Sequence, residues 1–479
     1  MSIRDHVRPP SGLCTAIVVL AAIGLLAPVA TAQQPSADSP ATPLSFSEAS
    51  KRMRDSHQAL QAIDKERAQR EEERKATRSL YWPKVDANAR YTRIDRPIEI
   101  DLDPIRQVIL TLHPQVPASR IPPFVERVQD KSFWTADVRA TWPIYTGGKV
   151  TAANRAAEAQ VKDVEQERRL AEESLTSELV RRYFGLRLAT SARDVRAQVL
   201  AGLDRHLHEA KRLEEEGMIS RAERLHAEVA RADADRQLKR AEQDVAITRA
   251  GLANILSLEQ AGDPTSPLFL APDLESLDGF QRQAQEKHPA FGRFAAQHQL
   301  ADQALGAERG RLLPDVYLFG MRELHTGDLT ILDPKWAAGI GATVTLFDGF
   351  DRSHRVAAAK LQQQRVTDLE QRTRRDIATL VEKRYREVAK AREQFTALRS
   401  ALELGEENLR VRTRAFEEGF ATSIEVVDAR LSLSRVQLER LAAAYDVDVA
   451  LADLLEASGQ SDRFEQFLAA GTPVTQIGN

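Results

Sequence analysis

Four short segments of this chain alternate apolar and polar residues with a period of two. Val85, Ala87, Ala89 and Tyr91 alternate with Asp86, Asn88, Arg90 and Thr92. Trp134, Ala136, Val138, Ala140, Trp142 and Ile144 form a second run, and Trp336, Ala338, Ile340, Ala342, Val344 and Leu346 a third. Such alternation predicts strands with one apolar face and one polar or small face. The runs 134–144 and 336–346 are 11 residues each, matching the roughly 9–11 that a tilted strand needs to cross a bilayer. Trp134 and Trp336 open them on the apolar face, where an aromatic girdle would sit. A fourth strand over Val316–Glu323 is less regular, because Tyr317, Phe319 and Met321 make both faces apolar. A soluble hairpin packed on helices would also satisfy these patterns.

The rest of the chain is largely helical in pattern. Ser45 to Leu80 is proline-free and rich in Glu, Arg, Gln and Lys, and Trp82-Pro83 ends it. A matching helix runs from about Leu274 to Leu312 and stops at Leu313-Pro314. Beyond Tyr145-Thr146-Gly147-Gly148 and Phe347-Asp348-Gly349 the chain turns helical, with Thr146 and Asp348 as candidate N-caps. No proline occurs from Ile144 to Asp263 or from Lys335 to Thr472, and Gly217 and Gly419 each mark one turn. Each stretch therefore predicts a helix of about 68 residues, roughly 100 Å long, with a shorter helix returning from the turn. Two shorter helices laid end to end match one long one, which supplies the neighbours such a helix needs.

These elements recur at a fixed offset of 202 residues: Trp134 maps to Trp336, Gly147 to Gly349, Tyr183 to Tyr385 and Glu223 to Glu425. That period exceeds any solenoid repeat and reads as a duplicated half. The expected organisation is a first repeat over 33–258 with a hairpin at 84–145, and a connector over 259–273. A second repeat follows over 274–458 with a hairpin at 315–347, then a tail over 459–479 with no assigned role. His57 and His288 align at an offset of 231 instead, so 29 residues are inserted in the first half. The proline-rich stretch 94–131 carries that insertion and is expected to form an elaborated external loop.

Composition narrows the class. Arg4 and Arg8, the apolar Thr15–Ala27 and the small residues Ala30-Thr31-Ala32 predict a signal peptide over 1–32, with a mature start at Gln33. No later run reaches the roughly 18 uncharged apolar residues of a spanning helix. The single cysteine, Cys14, precedes the apolar core of the signal, so the mature chain carries no thiol, disulfide or cysteine metal site. Its 65 basic and 69 acidic residues leave a slightly negative chain with no nucleic-acid footprint. His206 and His208 are two apart on a helix and make poor joint ligands, and the other histidines are scattered. Phosphate, dinucleotide and nucleophile-elbow motifs are missing, so neither a catalytic site nor a cofactor is expected.

Four strands cannot close a barrel, and an open edge cannot stand in lipid. Known barrels begin at about 8 strands. The fold class is therefore α+β and mostly α, with three copies completing a 12-stranded barrel that the helices continue as a tube. That is a passive conduit. The rival is a soluble periplasmic coiled-coil adaptor or scaffold that carries the hairpins as a small domain.

The layout resembles the TolC-like outer-membrane efflux family over essentially the whole mature chain. Its most specific pieces are Trp142-Pro143-Ile144-Tyr145-Thr146-Gly147-Gly148, its partner Leu346-Phe347-Asp348-Gly349, and the turns Gly217-Met218-Ile219-Ser220 and Gly419-Phe420-Ala421-Thr422. The resemblance implies a homotrimer in the outer-membrane lipid, extending into the periplasm. It also implies turn tips that meet a periplasmic adaptor and an inner-membrane pump that supplies energy. The family's aperture acids match Glu425 and Asp428. Glu223 repeats the first of these, while His226 stands at the second position.

Glu425 and Asp428 are three apart and share a helix face, so threefold symmetry would gather them into a cation-attracting ring. Solvated surface acids are the plain alternative. Gly217 and Gly419 suit a positive-φ turn. Met218 and Phe420, apolar at a polar tip, are candidates for partner contact together with Ser220 and Thr422.

Overall fold

The computed structural model describes residues 42–325 and 334–474. The signal segment 1–32 with its cleavage site, residues 326–333 inside the second hairpin, and the last residues of the tail lie outside the described residues.

The chain begins with a short strand, β1 (Pro43–Leu44), and a reciprocal cap. Ser45 Oγ accepts the Glu48 N–H while Glu48 takes the Ser45 N–H at 2.8 Å, which starts α1 (Phe46–Ser56). The single helix expected over Ser45–Leu80 is in fact two. His57 adopts an extended conformation (φ −68°, ψ 125°), and its Nδ1 accepts the Ala59 N–H at 3.2 Å to start α2 (Gln58–Arg78). After Trp82-Pro83 comes β2 (Lys84–Arg93). The proline-rich insertion contains β3 (Ile98–Asp101), α3 (Asp103–Leu112) and β4 (Val125–Gln129), with β3 and β4 paired antiparallel. β5 (Ser132–Tyr145) leads back to the helices.

α4 (Lys149–Glu215) is 67 residues long and α5 (Arg221–Ile255) returns for 35. The cap of α4 is Gly148 (φ 85°), not Thr146. Thr146 acts from two residues upstream, its Oγ1 accepting the Val150 N–H at 3.3 Å. The connector contributes β6 (Asp263–Pro264), which pairs with β1, and β7 (Phe269–Leu270). The helix expected from Leu274 is split at His288 into α6 (Leu277–Lys287) and α7 (Pro289–Gly310), and His288 Nδ1 accepts the Ala290 N–H at 3.2 Å.

β8 (Asp315–His325) and β9 (Trp336–Thr343) form the second hairpin. β9 ends at Thr343, short of the Leu346 expected from alternation, because its partner strand begins at the residue opposite, Asp315. α8 (Asp351–Glu417) is again 67 residues, capped by Phe350 in the left-handed region (φ 70°) rather than by Asp348. α9 (Ser423–Ser458) returns. The tail has a structural part to play: α10 (Phe464–Ala470) precedes β10 (Thr472–Pro473), which pairs with β7.

The four long strands make one antiparallel sheet in the order β2-β5-β8-β9, so the two hairpins join at β5 and β8. Register puts Trp142, Leu318 and Ile340 in one row. Directly opposite residues share a face, so all three belong to the apolar face. Trp134, Trp336 and Ile340 remain 57–70% exposed there. The two faces of β8 also separate. An added Cβ at Gly339 would lie 3.0 Å from the Phe319 ring and one at Gly341 2.6 Å from the Tyr317 ring. These aromatics therefore cover glycines on the opposite face of the sheet.

The core lies where helices meet the connector and tail. Phe46, Tyr183, Phe184, Phe269 and Phe464 pack with ring centroids 5.0–6.1 Å apart. The Tyr183 hydroxyl donates to Leu44 O at 2.7 Å and accepts the Ser266 N–H at 3.0 Å. The wider cluster takes in residues of both helical hairpins, meeting α4 and α8 near their middles (Leu179–Val195, Ile377–Phe395) and α5 and α9 toward their C-terminal ends.

Candidate functional site

The two helical turns are built alike. Gly217 N–H donates to Glu214 O and Met218 N–H to Leu213 O; Gly419 N–H donates to Phe416 O and Phe420 N–H to Ala415 O. This paired bonding satisfies the last carbonyls of each long helix and requires a left-handed residue after the cap. Gly217 (φ 75°) and Gly419 (φ 77°) provide it. Ser220 then caps α5 and Thr422 caps α9. The turns lie side by side, since an added Cβ at Gly419 would be 3.8 Å from Met218 Cε. Met218 is 58% exposed and Phe420 84% exposed. Two large apolar side chains thus stand together in solvent at one tip.

The candidate acids differ in state. Glu425 takes the Thr422 N–H at 2.8 Å on one oxygen and Arg412 at 2.9 Å on the other. The Thr422 N–H, with Arg412 nearby, holds its carboxyl below the usual carboxylate range. Asp428, one turn further along the same helix, is exposed and has no partner among the described residues. Glu223 is half-buried at the start of α5. Of the three carboxylates, only that of Glu425 has a hydrogen bond or ion pair among the described residues; Asp428 is the exposed one.

Beneath the tips lies a contact that motif reading misses. His206 on α4 is buried, and its Nε2 shares a hydrogen bond of 2.8 Å with the Oγ of buried Ser423 on α9. Its ring also packs on Phe416, centroids 4.7 Å apart. Burial, reinforced by Arg430, pushes the imidazole down to about 4. Arg430 lies across Gly202 on α4, where an added Cβ would collide with its guanidinium. Leu203, His206, Ala210 and Leu213 are all buried on α4. A histidine at an apolar-stripe position is the signal the sequence did carry.

Comparison with known proteins places this architecture. The family model described as "Outer membrane efflux protein" matches residues 49–257 and 281–460, one stretch in each half. Protein CyaE of Bordetella pertussis is 27% identical over 272 residues, covering 54% of this chain and 56% of that protein. The chain therefore aligns with little more than half the length of that relative. The open-state MtrE outer membrane channel of Neisseria gonorrhoeae superimposes with a TM-score of 0.68 at 18% identity, over 87% of this chain and 89% of that one. The CmeC outer membrane channel of Campylobacter jejuni gives 0.66 at 15% identity, over 87% and 86%. A membrane protein from Pseudomonas aeruginosa gives 0.69 at 16%, over 86% and 90%.

Proposed function

Since the chain belongs to the outer membrane efflux protein family, a family of exit ducts in the outer membrane, we propose that three copies of it close one channel. Each copy contributes four strands to a 12-stranded barrel, β9 of one copy pairing with β2 of the next. The α4/α5 and α8/α9 hairpins continue that barrel as a tube through the periplasm, about 100 Å at 1.5 Å per residue. Substrates of an efflux or type I secretion pump pass through it passively.

The supporting observation is the sheet itself. Its apolar face is exposed along all four strands, interrupted on β8 by Arg322 opposite Trp336, and both of its outer strands, β2 and β9, have an unpaired edge. A four-stranded sheet of this kind is stable in lipid only when its edges are paired. The soluble-scaffold reading leaves Trp134, Trp336 and Ile340 in water without purpose.

At the far end, the tips Gly217, Met218, Ser220, Gly419, Phe420 and Thr422 meet an adaptor, with Met218 and Phe420 as the apolar anchors. Asp428, Glu425 and Glu223 line the aperture. The test is extraction and mass. The protein should leave membranes only with detergent and run as a heat-sensitive trimer; release by salt as a monomer refutes the reading.

A further inference from the structure

The end of α9 borders a polar cavity of about 440 Å³, lined among others by Arg54, Arg169, Glu173, Lys287, Gln460 and Arg463. Gln460 is 1% exposed. Its Oε1 accepts from Arg463 Nη1 at 2.7 Å. A guanidinium has only donors to offer, so the amide cannot be reversed and Nε2 faces away from it. That Nε2 is buried and has no acceptor. A buried amide donor without a partner is costly and calls for one.

The duplication shows that the fold does not need this amide. The equivalent helix end in the first half, at the offset of 202, carries Leu258. Leu258 N–H donates to Ala253 O as Gln460 N–H donates to Leu455 O, and the residues before them, Ser257 (φ 53°) and Gly459 (φ 69°), are both left-handed. Leu258 simply packs on the core. The same turn is thus built with an apolar side chain in one half and an unsatisfied polar one in the other.

The charges around the cavity indicate what would satisfy it. Arg169 donates only to Gln166 Oε1 and Lys287 O, without a carboxylate. The exposed Lys287 side chain makes no hydrogen bond or ion pair among the described residues, and the carboxylate its charge acts on, Glu275, is already held by Arg463 at 2.7 Å. The acids opposite are largely committed. Glu172 is held by Arg168 at 3.0 Å, and Glu173 Oε2 takes the Ser461 N–H at 2.8 Å. Burial draws the Glu173 carboxyl upward, toward its neutral form. Asp462 is exposed at the rim.

We infer that this cavity binds a small oxyanion, a carboxylate or phosphate group, with Gln460, Lys287 and Arg169 as its donors. The site is separate from the aperture and from the strands, and it stands whether or not the tips dock an adaptor.

Titration calorimetry of the detergent-purified full chain with inorganic phosphate, and separately with citrate, tests it. Saturable binding is expected for at least one of the two probes. Gln460→Leu, which copies Leu258, should keep the oligomer and its melting temperature while weakening binding at least tenfold, about 1.4 kcal/mol. Heat that never saturates with either probe means a water-filled cavity and overturns the proposal, as does a Gln460→Leu protein that binds as tightly as the parent. Should Gln460→Leu fail to assemble, Lys287→Gln on its exposed side chain carries the same expected loss. Unchanged binding in that variant overturns the proposal equally.

Discussion

His206 and Ser423 hold the two halves of the chain together just beneath their turns, through a hydrogen bond of 2.8 Å between α4 and the first residue of α9. If the aperture opens when one helical hairpin moves against the other, this bond opposes the movement. Ser423→Ala leaves the imidazole unpaired and removes about 1 kcal/mol of restraint, roughly a fivefold rise in the ratio of open to closed time. Single-channel recordings in planar bilayers measure that ratio. An unchanged ratio would remove His206 from any account of gating.

Acid should weaken the fold through two histidines. His206 and His288 are both pushed from 6.5 to about 4, by burial in each case, with Arg430 and Arg169 respectively as the nearby charges. Each resists protonation in the fold but not in the unfolded chain. The stability they contribute is therefore complete above pH 6.5 and is lost as the pH falls toward 4. Melting temperature should decline across that window. His288→Asn keeps a good helix cap without a titrating group, so its melting curve should depend less on pH than that of the parent.

Asp448 sets the opposite slope. It is fully buried on α9, one oxygen accepting the Phe269 N–H at 3.4 Å and the other unpartnered. Burial raises its carboxyl well above the ordinary value. An acid held neutral in the fold but ionised in the unfolded chain loses stability as pH rises. Asp448→Asn keeps the acceptor and cannot ionise, so its melting temperature should exceed that of the parent at pH 8 by more than at pH 4. A constant difference across that range would show that ionisation plays no part.

The two candidate aperture acids should separate on substitution. Glu425→Gln weakens the capping box it forms with Thr422 and the pairing with Arg412, and should lower the melting temperature. Asp428→Asn breaks no contact in the protomer and should leave stability within ~0.5 kcal/mol, while lowering the preference for cations over anions in reversal-potential measurements. Unchanged selectivity would return Asp428 to the class of solvated surface acids.

Much of the fold is written in single-chain periodicity. Trp134 to Ile144 alternates because one face of β5 is apolar throughout, and that needs no knowledge of neighbours. Tyr317 and Phe319 mislead by the same logic, since the glycines they cover, Gly339 and Gly341, belong to another strand. The breaks at His57 and His288 are capped by imidazoles, which helix-breaking rules do not anticipate, although Pro289 directly after His288 is a start signal. Phe350 occupies a left-handed position that Gly148 fills in the first half, so the equivalence was visible but the conformation was not. At the site, the spacing of Glu425 and Asp428 is legible. That Arg412 engages only Glu425 depends on the turn folding back across 13 residues.

The central claim is that β2 and β9 are completed by other copies of the chain. With Cys14 as the only native cysteine, Ala87→Cys on β2 combined in turn with Ala337→Cys or Ala338→Cys on β9 gives a clean cross-linking test. Oxidation in membranes should produce covalent dimers and trimers and nothing larger, the trimer surviving boiling until it is reduced. Monomer alone across both pairs, or a ladder extending beyond three, would contradict a barrel closed by three subunits.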